Sequence, residues 1–260
     1  MISKSDIKLI RSLQNKESRQ EHGLFVAEGD KIVREMLREG LSPEILVVTD
    51  EWISLNRNLA EEHENIIKKA SPAEIERCSS LKSTQGVLAV CKIPESNSIS
   101  DITEGQIIAL DDVQDPGNVG TIVRIAAWFG IHYIICSQGC SDLYNAKVIQ
   151  ASMGGFNQVK VIYGNLDEML GLLKNRNFKI AGAFMEGKSV SNFNPPENIV
   201  TVFGNESRGI SPQVRKKIDI EITIPSFSPV GKGIESLNVS TAAAIICYEF
   251  SKKCSYGNCK

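Results

Sequence analysis

Apolar and polar positions fall into two regimes along this chain. Strand candidates recur at residues 106–110, 133–136, 159–162, 179–184, 199–203 and 220–224, several of them continuous apolar runs as expected for strands covered on both faces. Between them apolar residues return at helical spacing. Ile122, Ile125, Ala126 and Phe129 make one stripe; Val239, Ala242, Ala243, Ile246 and Phe250 make another. Such alternation predicts a mainly parallel, layered α/β sheet. In these sheets ligands gather where loops leave the carboxyl ends of strands.

The earlier part of the chain reads as a smaller α/β domain. Residues 24–27 and 44–48 are predicted strands, with Ile32, Val33, Met36 and Leu37 at helical spacing between them. Ser71-Pro72-Ala73-Glu74 is a helix start, with a serine cap, proline in the first turn and Glu three residues after the cap. Residues 86–93, GVLAVCKI, close the domain as a buried strand. The polar stretch 94–105, PESNSISDITEG, carries no apolar periodicity. The expected organisation is therefore a first domain over 1–94, a linker over 95–105 and a second domain over 106–260.

Composition narrows the function classes. No apolar run reaches the roughly 20 residues needed to span a bilayer, and the opening MISKSDIK is too polar for a secretory signal. With 29 basic against 31 acidic residues the chain is no general polyanion binder; nucleic acid would need a local patch. The opening Lys4, Lys8, Arg11, Lys16 and Arg19, against Asp6 and Glu17, is the candidate patch, and a solvated helix face explains it equally well. Seven dispersed cysteines suit reduced thiols and a cytoplasmic protein. Neither Cys136/Cys140 nor Cys254/Cys259 has CxxC spacing or a nearby histidine, so no metal is expected.

Three loops carry the candidate chemistry. In residues 110–130, LDDVQDPGNVGTIVRIAAWFG, a strand ends, Asp115-Pro116-Gly117 turns the chain, Asn118 is placed to cap, and a helix begins. Residues four apart share a helix face and lean toward its N-terminus. Arg124 is thus expected to lean over Gly120, near a helix mouth that favours an anion. A phosphate clamp fits, and so does a plain cap beside a surface arginine. In residues 203–209, FGNESRG, two glycines bracket Glu206 at the end of a buried strand, a costly place for a carboxylate without a partner. Pairing with Arg208 or Arg124 would supply one. In residues 224–240, IPSFSPVGKGIESLNVS, one of Ser236, Asn238 and Ser240 suffices to cap the last helix, leaving the others for a ligand. No GxGxxG follows a strand, which disfavours a dinucleotide-binding oxidoreductase. The histidines His22, His63 and His132 adjoin no nucleophile in a motif.

Taken in order, these pieces resemble the SpoU (TrmH) family of RNA ribose 2′-O-methyltransferases, within the SPOUT class. The matching residues are Asp115-Pro-Gly-Asn118-Val-Gly120 through Arg124, then Gly204-Asn-Glu206-Ser-Arg-Gly209, then Ile224-Pro225 with Ser236-Leu-Asn238-Val-Ser240. The first domain resembles the ribosomal-protein (L30e-like) RNA-binding domain often attached to the family. One departure is the loop 226–235, longer than many members carry.

The resemblance implies a C-terminal trefoil knot, S-adenosylmethionine as methyl donor, and a homodimer with the active site at the subunit interface. It implies cofactor contacts near Ala183, Gly204, Ile224 and Leu237, and a catalytic set of Asn118, Arg124, Glu206, Ser236 and Asn238. It offers Arg124 as the base, but a guanidinium is essentially never deprotonated in proteins. The expected roles are instead that Arg124 holds a phosphate and stabilises the forming alkoxide. Ser236, Asn238 or the phosphate passes the proton, and Glu206 orients the loops. The expected substrate is RNA, ribosomal ahead of transfer RNA. The competing readings are a non-catalytic RNA-binding or ribosome-assembly protein of the same fold, and a base methyltransferase of the same class.

Overall fold

A computed structural model describes residues 1–81, 83–95, 97–227 and 236–255, with backbone alone at 254 and 255. Most of the long loop 226–235, and Cys259, lie outside the described residues. The chain forms two compact units, Met1–Glu95 with Asp142–Gly154, and Ser96–Ser141 with Gly155–Lys260.

The first unit runs α1 (Lys4–Ser12), α2 (Lys16–His22), β1 (Leu24–Glu28), α3 (Asp30–Arg38), β2 (Ile45–Val48), α4 (Asp50–Leu55), α5 (Arg57–Glu62), β3 (Ile67–Lys69), α6 (Pro72–Cys78) and β4 (Val87–Lys92). Among the described residues its sheet has the order β1-β4-β2-β3, with β4 antiparallel to both neighbours and β2 parallel to β3. The predicted capping box of α6 forms: Ser71 accepts from the Glu74 N–H, and the Glu74 carboxylate accepts from the Ser71 N–H at 2.8 Å. Ile32, Val33, Met36 and Leu37 face the core from α3.

Arg19 departs from both readings of the opening segment, the basic patch and the solvated helix face. It is buried at 3% exposure, donates to the Leu13 and Gln14 carbonyls at 2.9 Å each, and pairs with Asp142 at 2.5 Å. Lys4, Lys8, Arg11 and Lys16 are exposed. Asp142 belongs to the segment bearing helix α8 (Ala146–Ser152), which is built into this unit. The rings of Phe25 and Tyr144 lie 4.6 Å apart, and Gln150 donates to the Glu28 carbonyl.

The second unit contains β5 (Gln106–Asp111), α7 (Pro116–Trp128), β6 (Tyr133–Ser137), β7 (Lys160–Gly164), α9 (Leu166–Asn175), β8 (Lys179–Ser189), β9 (Ile199–Gly204), α10 (Pro212–Arg215), β10 (Ile220–Thr223) and α11 (Val239–Ser255). The described strands form one sheet of order β10-β8-β9-β5-β6-β7, parallel at every pairing. One face packs Ile107, Ala109, Ile135, Val200 and Val202 against Leu170 and Leu173 of α9. Each such side chain contributes roughly 1.5–3 kcal/mol on burial. On α7, Ile122 and Ala126 of the predicted stripe are buried, and so are Ala243, Ile246 and Phe250 on α11. The later part of the polar stretch is ordered on this unit: Ile102 is fully buried, and Arg176 donates to the Ile99 and Ile102 carbonyls.

The strand order creates the site. From β5 the chain proceeds outward through β6 and β7, whereas β9 lies on the other side of β5 with β8 and β10 beyond it. The loops leaving β5 and β9 therefore diverge from adjacent strand ends, the crevice where open parallel sheets bind ligands.

Candidate active site

At that crevice Asp111 of β5 stands opposite Gly204 of β9. Helix α7 starts one turn on. The cap is Asp115, whose carboxylate accepts the Asn118 N–H at 2.8 Å; Asn118, which the sequence placed to cap, does not. Pro116 fills the first helical position, where a missing N–H costs nothing, so the cap falls at Asp115. That leaves the Asn118 side chain free of the backbone.

Asn118 then joins the other two loops. Its Nδ2 donates to Glu206 Oε1 at 2.7 Å, and its Oδ1 accepts from Asn238 Nδ2 at 2.9 Å. Asn238 is the residue that caps α11, its Oδ1 accepting from the Ser240 N–H at 2.9 Å and the Ser240 hydroxyl at 2.6 Å. Glu206 sits in a tight turn closed by two hydrogen bonds between Asn205 and Gly209, and Gly209 takes φ +67°. No Cβ fits at Gly204, where it would fall on the backbone of Gly209 and Ile210.

Glu206 is exposed, and its partner is Asn118 rather than Arg208 or Arg124. Arg208 turns instead to Asp112, which sits in the same sweep of chain as Asn118. Arg124 is exposed, and its side chain makes no hydrogen bond or ion pair with the described residues. Gly155 packs onto its turn of helix, where a Cβ would lie 3.2 Å from the Arg124 Cα. Ser236 is exposed and likewise bonds to none of the described residues. Three of the five predicted catalytic residues thus touch in one network; Arg124 and Ser236 stand outside it.

The predicted cofactor positions share one end of the sheet. Ala183 follows the last pair of β8 with β9, Gly182 opposite Val202; Gly204 ends β9; Ile224 follows β10. These are three neighbouring strands. Against β10, Glu221 pairs with Gly182 and the next residue, Ile222, with Lys188, so residues 183–187 leave that ladder. Ala183 and Gly204 are half-buried, and Leu237 is 48% exposed just ahead of α11.

Residues 182–189, GAFMEGKS, also fit the phosphate-loop pattern GxxxxGK[ST]. They lie within β8 rather than in a loop opening an α-helix, so the N–H cradle that gives the pattern its meaning is missing. Beneath the β5 and β6 ends, Cys140 is buried and donates to the Leu110 carbonyl at 3.2 Å. Hydrogen bonding from the Cys136 thiol, ahead of that from Ser137 and the Val113 and Asp112 N–H groups, outweighs burial and brings Cys140 down to about 7. Among the described residues no group of three or more His, Cys, Asp or Glu is arranged to hold a metal ion, and no helix is long and apolar enough to cross a membrane.

Sequence reading missed Asp111, Asp112 and Asn205, which help hold these loops together, and it offered Arg208 to Glu206 rather than to Asp112. The available signal was the pair of aspartates ending an apolar strand, where carboxylates need partners.

Residues 105–248 match the SpoU rRNA Methylase family, and residues 4–89 match the MRM3-like substrate binding domain. The chain belongs to the SpoU rRNA methylase family. It is 29% identical over 240 residues to the 23S rRNA (guanosine(2553)-2′-O)-methyltransferase RlmP of Bacillus subtilis, covering 92% of each chain. A solved structure from Porphyromonas gingivalis, described as of the TrmH family of RNA methyltransferases, superposes with TM-score 0.86 at 34% identity, over 97% of this chain and 99% of that one. The fold is also that of the SpoU methyltransferase AviRb of Streptomyces viridochromogenes in complex with AdoMet, with TM-score 0.82 at 21% identity over 96% of this chain and 99% of that one.

Proposed function

We propose that this chain is an S-adenosylmethionine-dependent RNA ribose 2′-O-methyltransferase acting on ribosomal RNA, as a cytoplasmic homodimer. The observation that carries the reading is the Glu206–Asn118–Asn238 network, which draws the three family loops to one point. The unpaired buried thiols among the described residues support the compartment.

S-adenosylmethionine, when bound, supplies a methyl group activated on a sulfonium. Backbone groups at Ala183, Gly204, Ile224 and Leu237 would hold it. Asn118 and Glu206 fix the floor of the site. Arg124 holds the phosphate beside the target ribose and stabilises the oxygen as its proton leaves. The Asn238 acceptor is already occupied as a helix cap, so the substrate phosphate receives that proton directly, or Ser236 relays it by accepting it while its own hydroxyl proton passes to the phosphate or solvent. Alignment of the reacting groups can supply several kcal/mol, up to about 7–11 in ideal cases. The knotted threading of the family is part of this reading.

The homodimer is supported by α7 itself. Trp128 is 84% exposed and lies four residues from Arg124, hence on the same helix face. Tyr248 of α11 is also exposed, and α7 and α11 pack together. A second copy covering this face would bring its own groups to Arg124.

The test is transfer of labelled methyl from S-adenosylmethionine to RNA from cells lacking the gene, followed by ribonuclease digestion. An alkali-resistant dinucleotide in the ribosomal fraction is the expected product. Label in a base would establish the base methyltransferase, and no label despite cofactor binding would establish the non-catalytic RNA-binding protein.

A further inference from the structure

At the end of β5 two aspartates stand in succession, and neither is an ordinary surface carboxylate. Asp111 is buried and accepts the Ser211 N–H at 2.7 Å. Asp112 turns the chain at φ +60°. That left-handed conformation is uncommon for residues with a Cβ, and aspartate tolerates it because its short side chain bonds locally. Every polar group of Asp112 is engaged. Its N–H donates to Ser137 Oγ at 2.8 Å, and its carbonyl accepts from Asn205 Nδ2 at 2.8 Å. Its carboxylate accepts from Gln114 Nε2 at 3.1 Å and pairs with the Arg208 guanidinium. Gly139 leaves room for it, because a Cβ there would collide with the Asp112 carboxylate.

One residue therefore ties together the loops leaving β5, β6 and β9. The third of these carries Glu206. Asn205 Oδ1 accepts the Ser207 and Arg208 N–H groups at 2.9 and 3.1 Å, so the turn 205–209 is braced internally. Asp112 grips that turn at two points, Asn205 and Arg208, on either side of Glu206.

We propose that Asp112 is a positioning residue for methyl transfer, holding through Asn205 and Arg208 the turn that sets Glu206 against Asn118. The proposal rests on the functional reading above. Asp112 touches no reacting atom; it acts by restricting where the Glu206 carboxylate can go.

The φ of Asp112 supplies a clean test. Asp112→Gly relieves the backbone and removes only the carboxylate, and Arg208→Met removes the partner from an exposed turn without altering β5. In the labelled-methyl assay each single variant is expected to lower kcat about tenfold while KM for RNA and cofactor moves less than about threefold. The double variant should be no slower than the slower single, because both remove the same tie. Asp112→Asn, which keeps an acceptor for Gln114, should recover part of the loss. Melting temperature should stay within about 3 °C of the parent throughout. Full kcat in Asp112→Gly, or losses that multiply in the double variant, would overturn the proposal. So would a loss confined to Arg208→Met, which would make Arg208 an RNA ligand in its own right. Should the parent methylate no RNA, the functional reading fails separately. Amide exchange of Ser207 and Arg208 then decides whether Asp112 holds the turn: faster exchange in Asp112→Gly is expected, and unchanged exchange overturns it.

Discussion

Asn118 donates to Glu206 at 2.7 Å while accepting from Asn238, so one amide reads two loops that lie 88 and 120 residues away in the chain. Asn118→Asp turns that donor into a second carboxylate facing Glu206. Activity should fall about 100-fold, since a group aimed at the reacting centre is displaced by like-charge repulsion. Adding Glu206→Gln restores one donor–acceptor pair, and the double variant should be faster than Asn118→Asp alone. Rates on ribosomal RNA check this; equal rates would show that the contact does not matter.

The Arg124 side chain makes no bond to the described residues, as a group reserved for a ligand would. Arg124→Lys keeps charge but loses the planar fork. A clamp role predicts a loss of about 100-fold at every pH from about 7 to 10. A pH–rate profile in which Arg124→Lys recovers on the alkaline side would instead mark a base at this position.

The buried Arg19 changes how the opening segment must be tested. Removing the first 20 residues would also remove Ile10 and Leu13 from the core and leave Asp142 without its cation. Arg19→Ala alone should destabilise the first unit by about 3–5 kcal/mol, the usual cost of stranding a buried charge partner. Charge reversal at Lys4, Lys8 and Arg11 avoids that damage. It should weaken RNA binding and flatten its salt dependence, with cofactor affinity unchanged; filter binding across a salt series reads both.

Asp219 pins β10 to the start of β8, accepting the Ile180 N–H at 2.9 Å and pairing with Lys174 at 2.7 Å. Burial raises its pKa, but the Lys174 ammonium and the Ile180 N–H outweigh burial and hold it below the ordinary carboxylate range. A lowered carboxylate pKa contributes stability above its unfolded value, and that stability is lost as pH falls through the folded value. Asp219→Asn should cost about 1 kcal/mol near neutrality, and the gap to the parent should close below the ordinary carboxylate range. Denaturant titrations at several pH values give the comparison.

Trp128 on the Arg124 face of α7 offers a direct probe of assembly. Trp128→Arg should shift the protein from dimer to monomer in sedimentation and reduce methyl transfer with it, while each chain remains folded. A parent that already sediments as a monomer would refute the dimer.

The strands of the second unit were legible because a sheet covered on both faces needs continuous apolar runs. The helices α7 and α11 were legible from their stripes. The three loops could be found by their residues and their order. Their mutual contacts could not, because periodicity reports which face is buried and says nothing of what covers it. Asn118 looked like a cap until Pro116 moved the helix start to Asp115. Arg19 looked solvated because nothing near it in sequence announces Asp142. Asp112 passed unnoticed because its four partners come from three different loops.

The passage of Asp142–Gly154 out of the second unit and back gives the chain three crossings between its units in place of one. A protease that nicks the stretch 95–105 therefore leaves the amino-terminal fragment seated on a segment its neighbour still owns, and native-mass measurement should find both halves together. The same thread constrains inheritance. A new front half cannot be grafted on at a single junction, because it must also accept a helix encoded between β6 and β7.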